Sequence, residues 1–196
     1  LATHPSVPAR NLKELIALAK GRPGQLNFAS SGLGSSNQMA GELLKMMANI
    51  NIAHVPYKGN PQAITDTMAG HVEMVFSGVP ALIPHIQSGR LRAIAIGSLK
   101  RFTAVPEVPT FDEAGMPGFR AVSWDGVFAP KGTPEPVIDR VHAAIQKALG
   151  SDRVKQQWAA RGARVDLESR ADFAAFVVQD GARWSAVIKA AGITPE

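Results

Sequence analysis

Apolar residues in the first half of the chain come in short runs that alternate with stretches of helical spacing. Leu12, Leu15, Ile16 and Ala19 follow a capping Asn11 with Glu14 three residues behind it, and Gly21 and Pro23-Gly24 close that helix. Residues 26–29 read as a strand. A Ser/Gly turn follows, then a helix from about 36 to 48 with Met39, Leu43, Leu44 and Met47 on one face. Residues 52–55 are the next strand, stopped by Pro56. The spacing then predicts a helix over 63–68, a strand over 72–76, a short helix over 81–86, and a strand over 91–96. The last is almost wholly apolar, as expected of a strand buried on both faces. Leu1 to Pro5 reads as the tail of a strand, so the polypeptide is expected to begin inside an element, as a fragment or processed product would. Strands alternating with helices at this spacing predict a mainly parallel α/β sheet.

The remainder is patterned differently. Thr110-Phe111-Asp112-Glu113 is a capping box, Pro117-Gly118 turns the chain, and 121–129 reads as extended with Trp124 and Asp125 inside it. From Thr133-Pro134 onward three helices are predicted. The first carries Val137, Ile138, Val141, Ile145 and Leu149, and the second Val154 and Trp158. The third runs from 169 to 191 with Phe173, Phe176, Val177, Trp184, Val187 and Ile188. One strand is expected around Val165. Long apolar faces with so little sheet beside them need a partner surface, in the same protein or on another subunit. The change of pattern near Ser123 marks the expected domain boundary.

Composition narrows the classes. With 196 residues, 45% of them hydrophobic, the chain can build one large domain or two small lobes. No apolar run is long enough to span a membrane. The net charge is +5, with basic residues scattered singly, so a nucleic-acid footprint is not expected. The absence of cysteine excludes disulfides and thiolate chemistry and fits either redox compartment.

The most informative chemistry lies where three predicted strands end: residues 30–36, 56–60 and 77–79, all rich in Gly, Ser or other small residues. In parallel sheets ligands sit beyond the carboxyl ends of the strands. Gly32 and Gly34 allow close approach to the main chain, and Ser35 or Ser36 can cap the next helix, whose free N–H groups suit a carboxylate or phosphate. The loop also half-matches a dinucleotide fingerprint. An α/β enzyme binding a nucleotide or phosphorylated substrate is therefore the rival reading. Against it, Asn37 stands where a third Gly belongs, and no acidic residue for a ribose ends the next strand. Tyr57-Lys58 could pass for an acid/base pair, but adjacent side chains on an extended loop point apart. The five histidines show no metal spacing, and Gly-x-Ser-x-Gly does not occur. No metal, no cofactor and no catalytic residue is expected.

Five segments occur in a telling order: Ser-Ser-Gly-Leu-Gly-Ser-Ser (30–36), His-Val-Pro-Tyr-Lys-Gly (54–59), Gly-Arg-Leu-Arg-Ala-Ile-Ala-Ile (89–96), Val-Pro-Thr-Phe-Asp-Glu-Ala-Gly-Met-Pro-Gly-Phe (108–119) and Ala-Pro-Lys-Gly-Thr-Pro (129–134). Taken together, and over essentially the whole chain, the sequence resembles the Bug/TctC family of periplasmic solute receptors for tripartite tricarboxylate transporters. The resemblance implies a non-catalytic, two-lobed protein of periplasmic-binding-protein type (type II-like). Such a protein closes over a small carboxylate and delivers it to membrane permease subunits. On that map residues 1–123 are lobe two, residues 124–196 are a returning strand and helices completing lobe one, and the N-terminal part of lobe one is missing. The implied ligand contacts are Ser30, Ser31, Gly32, Gly34, Ser35, Gln38, Tyr57, Lys58, Gly59, Ser77 and Gly78. Two departures stand out: Asn37 or Gln38 replaces a His of many members, and Ser77 replaces an Asp. The second favours a plain carboxylic acid over an amino acid, unless Asp125 supplies the charge. Periplasmic location and self-association through exposed lobe-one helices complete the expectations.

Overall fold

The computed structural model describes residues 1–160 and 163–193. The chain divides into two units, Leu1–Ser123 with the chain from Gly181 onward, and Trp124–Asp180. Sequence reasoning kept 124–196 together. The two differ from 181 on, because Val187 is buried in the first unit's core and Trp184 packs against it.

The first unit is built on a five-stranded sheet of order β3-β2-β4-β1-β5. The strands are β1 (Ala2–Thr3), β2 (Asn27–Ser30), β3 (Ala53–Pro56), β4 (Met74–Val75) and β5 (Arg92–Ala93). β2 runs parallel to both β3 and β4, while β1 lies antiparallel between β4 and β5. Pro56, which cannot donate to a ladder, sits on the edge strand, where it costs nothing. Side-chain alternation sorts the core onto two faces. Phe28 and Met74 point to one face, with Leu12, Leu15, Leu44 and Ile52. Ala2, Ala29 and Val75 point to the other, with Ile64 and Leu82.

Helices α1 (Leu12–Gly21) and α2 (Ser36–Ala48) therefore cover one face, and α3 (Asn60–Met68) and α4 (Val79–Gln87) the other. Asn11 caps α1 as predicted, accepting from the Glu14 N–H at 2.9 Å, while the Glu14 carboxylate reaches back past the cap to the Arg10 N–H at 2.7 Å. α3 and α4 begin a few residues earlier than the apolar spacing suggested, at Asn60 and Val79. Pro61 and Pro80 fall in their first turns, where no N–H is required. α2 lies close on β2, since a Cβ at Gly41 would stand 2.2 Å from the Phe28 ring.

One expectation is met only locally and one fails. The Thr110–Glu113 capping box closes reciprocally, at 2.9 and 3.2 Å, but no helix grows from it. Residues 111–115 form turns, and Pro117-Gly118 redirects the chain so that Phe119 stacks on Phe111 at 3.7 Å. Around Val165 no strand forms among the described residues, because the second unit offers no other strand to pair with.

The second unit contains α5 (Glu135–Leu149), α6 (Asp152–Ala160) and the first half of α7 (Arg170–Ala190). Arg170 bridges to Asp139 at 2.7 Å and Glu135 at 2.8 Å. Trp124, Phe128, Phe173 and Phe176 form an aromatic cluster with centroids 5.3–6.5 Å apart, and the Trp124 indole N–H donates to Asp180 at 2.9 Å. The apolar face of α5 stays open, with no buried residue and with Val137 and Val141 about half exposed.

Candidate functional site

Because β3, β2 and β4 are adjacent and run the same way, their carboxyl ends share one edge of the sheet. The three predicted loops emerge there side by side. The Tyr57 N–H donates to the Ser30 carbonyl at 3.1 Å, and the Phe76 N–H to the Ala29 carbonyl at 3.2 Å. Gly32 has φ +136°, and a Cβ on it would meet the Tyr57 carbonyl at 3.2 Å, so the first two loops touch through main chain.

The first loop is held rigidly by its own polar groups. The Gly32 carbonyl accepts from the hydroxyls of Ser30 (3.1 Å) and Ser35 (2.7 Å), and the Gly32 N–H donates back to Ser30 Oγ at 3.2 Å. Gln38 Oε1 accepts the Gly34 N–H at 2.7 Å, and Ser35 caps α2 through the Gln38 N–H. Thus Ser30, Ser35 and Gln38, expected to touch ligand, turn these groups onto the loop itself. Ser30 is fully buried and also bonds His54 Nε2 at 2.6 Å. His54 stacks on Phe28 at 4.9 Å, and burial holds its pKa below the ordinary value, with Glu42 opposing and Lys45 adding to the shift. The Tyr57 ring packs on the second core cluster. Burial, and then its hydrogen bond to Asp66, push its phenol pKa up.

Other groups remain available. Lys58 is exposed and makes no ion pair among the described residues. Ser77 Oγ is buried without a hydrogen-bond partner. Sequence reasoning missed the amide of Asn37, which donates to both Ser31 Oγ (3.1 Å) and Asn60 Oδ1 (2.6 Å). The pairing joins residues 23 apart and follows from the mutual position of two helices, which no local pattern carries.

Each loop delivers a helix N-terminus to this edge: α2 after Ser35, α3 after Gly59 and α4 after Gly78. The N-caps of α3 and α4 make no side-chain hydrogen bond, and none of the three helices has an acidic residue in its first turn. α1, α5, α6 and α7 all carry one. Three partial positive charges with free N–H groups therefore face one edge uncompensated, which suits an anion. Among the described residues no group of three or more metal-ligating side chains gathers anywhere.

The model for the tripartite tricarboxylate transporter family receptor matches residues 1–193. The protein BugT of Bordetella pertussis is 38% identical over 192 residues, covering 98% of this chain and 59% of BugT. The fold matches that of R. palustris Rpa4515 with adipate, with a TM-score of 0.84 and 34% identity, over all of this chain and 65% of the other. It also matches MatC from Rhodopseudomonas palustris with bound malate, with a TM-score of 0.79 and 29% identity, over 95% and 65% of the two chains. The chain spans about half to three fifths of the length of the curated relatives first matched, 48% and 59%.

Proposed function

This chain belongs to the tripartite tricarboxylate transporter receptor family, and we propose that it forms the greater part of an extracytoplasmic receptor for a small carboxylate. The observation that carries this reading is the edge where three helix N-termini meet without an acidic residue in any first turn. A carboxylate placed there receives main-chain N–H groups and the field of three helices, and Lys58 adds a cation to the rim. Ser31, Lys58, Gly59, Ser77 and Gly78 contact the ligand. Ser30, Gly32, Gly34, Ser35, Gln38 and Tyr57 hold the loops that do so. The carboxylates bound by Rpa4515 and MatC, adipate and malate, support the same class. The nucleotide reading loses ground, since β3 ends in His54-Val55-Pro56 with His54 bonded to Ser30.

The receptor works in the periplasm and hands its ligand to membrane permease subunits. Residues 1–123, with the end of α7 from Gly181 on packed against them, serve as one lobe and 124–180 as part of the other. Closure of a complete second lobe excludes water from the ligand and supplies the remaining contacts. The open apolar face of α5 is covered in the working protein, by the longer polypeptide or by self-association. Calorimetry tests the reading directly. The full-length protein should bind a dicarboxylate measurably and the 196-residue chain weakly or not at all. Tight binding by the chain alone would refute the two-lobed clamp, and no carboxylate binding by the full-length protein would refute the function.

A further inference from the structure

We propose that Asn37 sets the hydrogen-bond polarity of this edge and so selects ligand groups that only accept. The inference rests on the carboxylate reading above and names the residue that sharpens it. Asn37 is the second residue of α2 and Asn60 the first of α3, so their bond ties two helix N-termini together across the loops. A side-chain amide nitrogen has two hydrogens, and both are committed here, one to Ser31 Oγ at 3.1 Å and one to Asn60 Oδ1 at 2.6 Å.

A serine hydroxyl has one hydrogen, and since Ser31 Oγ accepts from Asn37, that hydrogen remains to be donated outward. Asn60 uses its carbonyl oxygen on Asn37, leaving its own NH2 as the free end. The two side chains that flank the helix N-termini thus present donors, in agreement with the N–H groups beside them. A carboxylate meets the hydrogens of Ser31 and Asn60. An ammonium, which has hydrogens only, meets two groups turned to donate and no carboxylate to balance its charge. The opposite arrangement, with both amides turned, would make Asn37 the acceptor and Asn60 present an oxygen, an acceptor set among helix N-termini.

The test is calorimetry on the full-length protein with succinate and aspartate, which share a carbon skeleton and differ by the ammonium group. Asn37→Leu keeps the approximate size and removes both donors, which frees Ser31 and Asn60 to turn. Succinate affinity should fall about tenfold, the equivalent of one hydrogen bond to a charged group. Aspartate affinity should change by less than about threefold, so the preference narrows. Equal losses for both ligands, or no loss, would reduce Asn37 to a structural residue and overturn the proposal. Side-chain amide exchange in the wild type reads the polarity without any variant. The Asn37 NH2 should be protected in the free protein and the Asn60 NH2 only after succinate is added. The reverse order overturns the proposal. A wild type that binds neither acid would instead overturn the carboxylate reading itself, while the exchange pattern of the free protein still decides the polarity.

Discussion

Gly41 offers the sharpest test of how the strand-end edge is supported. A Cβ built on it would lie 2.2, 2.5 and 2.7 Å from three carbons of the Phe28 ring, whereas ordinary contact begins at 3.4 Å. Gly41→Ala therefore needs α2 and β2 to separate by about 1.2 Å, or the ring to move by as much. The ring has little freedom. Phe28 is fully buried, stacked on His54 at 4.9 Å and edge-on to Phe76 at 5.8 Å. Overpacking of this kind costs about 1–3 kcal/mol, and the better helix propensity of alanine returns ~1 kcal/mol. A 2.2 Å approach to a buried ring belongs at the upper end of that cost, so the expected net loss is about 2 kcal/mol, or roughly 4–8 °C in Tm for a protein of this size. Urea and thermal denaturation of Gly41→Ala measure it. The double variant with Phe28→Leu, which removes ring carbons, should recover at least ~1 kcal/mol relative to additivity. If Gly41→Ala is as stable as the wild type or more so, α2 does not rest on Phe28 as described.

Two further outcomes follow from the same edge. Burial holds the His54 pKa below its ordinary value, so as pH falls through about 6.5 the unfolded chain takes up a proton before the folded one. Stability should drop across that window and level off once folded His54 is itself protonated. His54→Gln should flatten this component in urea titrations at pH 5 and pH 7, and an unchanged slope would refute the assignment. Ser77 carries a neutral, unpartnered hydroxyl at the end of β4, so a ligand ammonium placed there finds an acceptor but no countercharge. The full-length protein should be stabilised in thermal shift more by succinate or adipate than by aspartate or glutamate. Ser77→Asp should move the balance toward the amino acids. If the amino acids win in the wild type, Ser77 does not decide.

What could be read in advance was periodic or local. The β2-α2-β3-α3-β4 succession was legible because each element repeats its own apolar spacing, and its parallel order places three loops on one edge without further information. The Asn11–Glu14 cap was equally plain. The Thr110–Glu113 box was legible too, but a cap only starts a helix, and Pro117-Gly118 stops one before it can form. Val165 shows the limit of β-propensity, since a strand exists only where another strand can receive its hydrogen bonds. The site was legible as loops, while the bonds that hold those loops were not. Ser30 and Gln38 read as ligand contacts in a motif, and in the structure Ser30 Oγ and Gln38 Oε1 bond the loop's own main chain. Asn37 meets Asn60 only because two helices start next to one another.

The order in which the sheet is strung has a kinetic meaning. β2, β3 and β4 come from one continuous stretch, so their pairings close shorter loops than those of β1, at smaller entropic cost. β1 pairs with Val75 and Met74 on one side and with Ala93 and Arg92 on the other, across some seventy to ninety residues of chain. β5 joins the sheet only through β1. Contacts that span so much sequence form late, and with two residues per strand they open early. The edge where the three loops emerge therefore rests on strands that lie nearer to one another in the chain than β1 lies to its partners. The amides of Ala2, Thr3 and Ala93 should exchange with solvent well ahead of those in β2.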